Sequence, residues 1–97
     1  MGPGTLNAAR RSAGAVITAV DHVMSGRNRN AFCVVRPPGH HTGVNGMKTV
    51  TASNSGCGQC LFNNVAIGAL HALDRCERVA IIDIDVHHGD GTEDVMR

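Results

Sequence analysis

The sequence predicts an α/β unit with a parallel sheet, in the order helix, strand, loop, helix, strand. Two stretches place apolar residues at helical spacing, and two short runs are apolar without interruption. Each apolar run ends in a cluster of Gly, Asp and His. Helices that alternate with continuous apolar strands favour a parallel sheet joined by a right-handed crossover.

The first helix rests on Ala9, Ala13, Val16, Ile17, Val20, Val23 and Met24, with Arg10, Arg11, Asp21 and His22 on other faces. Thr5 or Asn7 is expected to cap its start and Ser25-Gly26 to end it. Ala31-Phe32-Cys33-Val34-Val35 then predicts a strand buried on both faces, stopped by Arg36-Pro37-Pro38-Gly39 because proline donates nothing to a ladder. A polar, Gly-rich loop follows to about Gly58, long enough to suggest function. The second helical stripe is Val65, Ala66, Ile67, Ala69, Leu70, Ala72 and Leu73. Val79-Ala80-Ile81-Ile82 opens a second buried strand that runs into Asp83-Ile84-Asp85-Val86-His87-His88-Gly89-Asp90. Both polar clusters therefore follow strand ends, the edge where ligands bind in open α/β sheets. Neighbouring strands would bring the two clusters together.

Composition bounds the function. With 97 residues the chain is one small domain or part of a larger one, and two Phe with no Trp or Tyr make a thin core. A net charge of +1 argues against direct nucleic-acid binding. No apolar run approaches the ~18–20 residues of a membrane span. No secretory signal is visible, and Leu6 departs from the Ser or Thr of a myristoylation motif. A nuclear or cytoplasmic location with reduced thiols is expected.

Asp85 and His87 are two apart on an extended segment, so carboxylate and imidazole can converge on one ion. Zinc accepts that mixed set, and a catalytic zinc needs a third protein ligand from elsewhere. The competing reading is a solvated polar strand end. His40 and His41 can face the same cleft, where an imidazole beside activated water suits general-base work. Asp83 and Asp90 are the carboxylates available to fix their tautomers. Cys57-Gly58-Gln59-Cys60 has the spacing of a thiol–disulfide redox pair at a helix start, but the residues before it are polar where that fold needs a strand. A calcium loop at Asp83-x-Asp85 fails because His88 stands where glycine is required. His22 and His71 read as surface or core-edge residues.

Arg36-Pro-Pro-Gly-His-His41, Gly58-Gln-Cys-Leu-Phe-Asn-Asn64 and Asp83-Ile-Asp-Val-His-His-Gly-Asp-Gly-Thr92 together resemble the zinc-dependent histone deacetylase family. The first motif is similar to its class II branch and to acetylpolyamine deacetylases. The resemblance implies an arginase-like parallel-sheet fold, of which residues 1–97 are a partial catalytic domain, and hydrolysis of acetyl-lysine on histones or other proteins, or of an acetylpolyamine. It implies Asp85 and His87 as zinc ligands, His41 as general base and then acid, and His40 as electrostatic support. Asp83 is implied as the partner of His40 and Asp90 as that of His41. Asp83, Asp85 and the His87 carbonyl match a structural potassium site. Gly58 and Gln59 fall on the substrate tunnel, where Gln59 replaces a common Phe. Corepressor-type proteins are the partners such an enzyme would have.

The family's third ligand, an Asp, and its oxyanion-stabilising Tyr lie beyond the equivalent of Arg97. The 97-residue chain alone is thus expected to be weakly active or inert. The other readings carried forward are a catalytically dead, partner-binding remnant and, more distantly, an oxidoreductase at Cys57 and Cys60.

Overall fold

The computed structural model describes residues 2–47 and 60–97. They form α1 (Thr5–Met24), β1 (Thr42–Gly43), β2 (Gly46–Met47), α2 (Asn64–Leu73) and α3 (Asp90–Val95). Helix α1 begins a turn before its apolar stripe, because nothing in Thr5 to Ala8 breaks a helix. Its cap position is Gly4, which has no side chain to offer, so neither Thr5 nor Asn7 is the cap. The end falls as expected: the Ser25 amide donates to the Asp21 carbonyl, and Gly26 turns the chain at φ +74°.

Helix α2 buries Asn64, Ala66, Gly68, Ala69 and Ala72. These small residues let it pack closely on α1, where Ala9, Ser12 and Ala13 are buried. Asp21 ties the two helices at their far ends. Its Oδ1 accepts from His71 Nε2 at 2.8 Å and from Arg75 Nη2 at 2.7 Å. His71, read from sequence as an ordinary helical residue, is thus an interhelical contact.

The two segments expected as strands, 31–35 and 79–82, have extended alternation but no ladder among the described residues. Burial on both faces is corrected. Phe32 and Val34 are exposed while Cys33 and Val35 are half-buried beside α1. Likewise Ile82, Ile84 and Val86 stand open while Val79 and Ile81 are half-buried beside the helices. A continuous apolar run predicts cover on both sides, and the described helices lie on one side only. The ladder that does exist is a short antiparallel ribbon pairing Thr42 with Met47 and Gly43 with Gly46. It falls inside the stretch read as loop, and Asn45-Gly46, with Gly46 at φ +91°, was its turn signal. Helix α3 was also unforeseen, although Asp90 and Glu93 in its first turn complement the helix dipole. No described helix is long and apolar enough to cross a membrane.

Candidate active site

The loop from Arg36 to His41 is held from both helices. The Pro37 carbonyl accepts from Ser12 Oγ of α1 at 3.2 Å and from Asn64 Nδ2 of α2 at 3.0 Å. Gly39 lies directly on the backbone of Phe62 to Asn64, and a Cβ there would overlap the Phe62 carbonyl oxygen. The Thr42 amide donates to the Gly39 carbonyl at 2.9 Å, closing a turn that carries His40 and His41. On the other side Gly91 lets α3 press on the same turn, since a Cβ there would collide with the His41–Thr42 peptide. The Thr92 amide then donates to the His40 carbonyl at 3.1 Å.

This seating brings the two polar clusters together, with no ladder between the segments that carry them among the described residues. His40 Nδ1 is 2.8 Å from Asp83 Oδ2, and His41 Nδ1 is 2.6 Å from Asp90 Oδ1. An ionised carboxylate only accepts, so each Nδ1 carries a proton, and in the neutral ring Nε2 is the nitrogen that can accept one. The two imidazoles are 4.2 Å apart, and the His41 ring is 6.2 Å from that of His87.

Asp85 and His87 also meet. Asp85 Oδ1 accepts from the His87 amide at 2.7 Å and lies 3.1 Å from His87 Nδ1. His40 Nε2 is 3.9 Å from the same oxygen. Asp83 Oδ1 accepts the Asp85 amide at 3.0 Å, which fixes the segment between the two acids. The hydrogen bond from His40 holds the Asp83 carboxyl below its ordinary value, and that from His41 does the same for Asp90. The His87 backbone N–H is the first cause of the same shift in Asp85. All three are therefore anionic at neutral pH.

Two donors on one tetrahedral zinc, with bonds of about 2.0–2.1 Å, lie roughly 3.3–3.4 Å apart. The 3.1 Å between Asp85 Oδ1 and His87 Nδ1 suits a shared ion. Both side chains are solvent-accessible, and among the described residues no group of three His, Cys, Asp or Glu could hold a metal. A metal held by this pair would need a third ligand from elsewhere. Beside the pair, a cleft of about 340 Å³ is lined by Gly39, His40, Asn64, Ile81, Asp83 and Asp85.

Gly58, Gln59 and Cys57 lie outside the described residues. Cys60, the one described member of the pair in the thiol-redox reading, is buried at 1% exposure, and the comparisons below lend that reading no support. The residues that sequence reasoning missed are Ser12, Asn63, Asn64 and Thr92, the ones that hold the loop. Asn63-Asn64 immediately before an apolar helical stripe was a readable helix-start signal.

A model of the histone deacetylase domain matches residues 1–97. Type-2 histone deacetylase 1 of Dictyostelium discoideum is 49% identical over 94 residues, which are 95% of this chain and 6% of that protein. The human polyamine deacetylase HDAC10 is 44% identical, over 94% of this chain and 13% of its own. A histone deacetylase-like amidohydrolase of Pseudomonas aeruginosa is 42% identical over 96% and 23%. The crystal structure of the HDA15 HD domain superposes with a TM-score of 0.78 at 41% identity, covering 92% of this chain and 23% of that one. The chain thus spans a minor part of the length of each.

Proposed function

The chain belongs to the histone deacetylase family, and we propose that it supplies the tandem-histidine half of a zinc-dependent deacetylase centre. The observation that carries this reading is the convergence of His40–Asp83 and His41–Asp90 beside Asp85 and His87. The substrate class is a terminal acetamide, on lysine of a histone or other protein, or on a polyamine. The similarity to both a type-2 histone deacetylase and a polyamine deacetylase supports that breadth.

Asp85 and His87 would hold the zinc with a third ligand from outside the described residues; the chemistry it would supply there is polarisation of the acetyl carbonyl and acidification of water. His41 takes the proton from the attacking water at Nε2, because its Nδ1–H is committed to Asp90. Asp90, anionic and 2.6 Å away, stabilises the imidazolium that results. The C–N bond then breaks, and His41 returns the proton to the leaving amine, which gives acetate and free amine. His40, paired with Asp83, stands 4.2 Å away and supports the charge developing near it. Asp83, Asp85 and the His87 carbonyl are the oxygen donors that would hold a structural potassium ion.

Zinc stoichiometry, measured with hydrolysis of an acetyl-lysine peptide and an acetylated polyamine, tests the reading. Where a third ligand completes the site, the protein is expected to bind one zinc and release acetate. The Asp85→Ala, His87→Ala double variant is expected to lose both. Undiminished hydrolysis by the double variant would overturn the assignment.

A further inference from the structure

We propose that Asn63 is a positioning residue for the tandem histidines, closing a ring of hydrogen bonds that fixes His41 against Asp90. Asn63 is 5% exposed and sits at the cap of α2. Its Oδ1 accepts the Ala66 amide at 3.1 Å, the ordinary work of a cap. Its Nδ2 does something else. One proton goes to the Thr42 carbonyl at 3.1 Å and the other to Thr92 Oγ1 at 3.0 Å.

Thr42 is the residue after His41, and Thr92 lies two residues after Asp90. One buried amide therefore joins the backbone beside the base to the helix that carries the base's carboxylate. The ring runs Asn63, Thr42, His41, Asp90, Thr92 and back, and its other link is the 2.6 Å bond between His41 and Asp90. The neighbouring Asn64 holds the upstream end of the same loop through the Pro37 carbonyl. Two consecutive asparagines thus bracket the histidines. A cap alone needs no donor, and serine or aspartate would fill it equally well. The two donor bonds distinguish a positioning role from a capping one.

The inference rests on the reading of His41 as the base, yet its test needs no substrate. Asn63→Asp keeps the cap acceptor and the size of the side chain but has no donor for Thr42 or Thr92. Thr92→Val removes one acceptor and leaves the cap untouched, and Thr92→Ser restores it. The readout is the imidazole ¹⁵N spectrum of His41 at fixed neutral pH, with helix content followed by circular dichroism. In the unaltered chain the Nδ1-protonated form is expected to dominate. In Asn63→Asp and Thr92→Val it is expected to give way to a mixture with the Nε2-protonated form. Exchange of the Thr92 amide should accelerate about tenfold. Thr92→Ser should recover the original pattern.

If Asn63→Asp fails to fold, the Thr92 pair decides alone. An unchanged His41 spectrum in Thr92→Val overturns the proposal, whether or not the protein is active. A responsive spectrum in a zinc-loaded protein without deacetylase activity supports the positioning role and overturns the reading of the site as an enzyme's.

Discussion

His41 and Asp90, proposed as the base and its carboxylate, form the shorter of the two His–Asp pairs and are anchored by a helix start. If the proposed function holds, His41→Ala is expected to lower kcat by about 10²–10⁴-fold with a smaller effect on KM, as removal of a general base does. Steady-state kinetics on an acetyl-lysine peptide checks it. The carboxylates predict an acid limit. Asp83 and Asp90 sit below the ordinary value of 3.8 when folded, because His40 and His41 donate to them. Their contribution to stability is complete above 3.8 and is lost as pH falls through the folded values. The hydrogen bonds of the site should therefore persist at pH 5 and disappear only below pH 4. Histidine ¹⁵N spectra are the suitable probe, since a chain without Trp or Tyr offers little to fluorescence. Collapse of the pairs between pH 5 and 6 would contradict the assignment.

At the scale of elements, the helices hold the loop and the loop holds the histidines. Gly39→Ala drives a methyl group into the Phe62 carbonyl and the Asn64 amide, backbone atoms that cannot swing aside. A loss of about 3 kcal/mol or more, or failure to fold, is expected in urea denaturation. Asp21→Asn acts at the opposite end of the α1–α2 pair. It weakens exposed contacts with His71 and Arg75, so the melting temperature should fall by a few degrees at most while the His40 and His41 signals stay in place. The helices were legible in the sequence because a 3.6-residue stripe is a property of one segment. The strands were not, because a ladder depends on a partner that the run itself does not name. Helix α3 and the β1–β2 ribbon are too short to show periodicity, so only Asn45-Gly46 and the Asp90, Glu93 pair announced them.

For the whole molecule the surface is lopsided. Phe32 and Val34 on one segment and Ile82, Ile84 and Val86 on the other are each between 86% and 95% exposed. Side chains of this size rarely stand in water as contiguous rows. The 97-residue chain alone is expected to bind a hydrophobic dye and to self-associate at micromolar concentration. Sedimentation of a Phe32→Ser, Ile82→Thr, Ile84→Ser variant should return it to monomer, and unchanged association would place the sticky surface elsewhere. The candidate site was more legible than this architecture. Asp85, His87 and the tandem histidines stand out by residue type and spacing, and Asp83 and Asp90 as the available carboxylates, whereas Asn63 and Thr92 work through contacts that only the fold creates.

His40 and His41 lie 43 and 49 positions before the acids that orient them. During synthesis at roughly 5–20 residues per second, both imidazoles leave the ribosome about 2–10 s ahead of their partners. In that interval they are ordinary exposed histidines, and neither His–Asp pair can form until Asp83 and Asp90 arrive. The order of translation therefore sets the order of assembly: the histidines come first, and each waits for the acid that orients it.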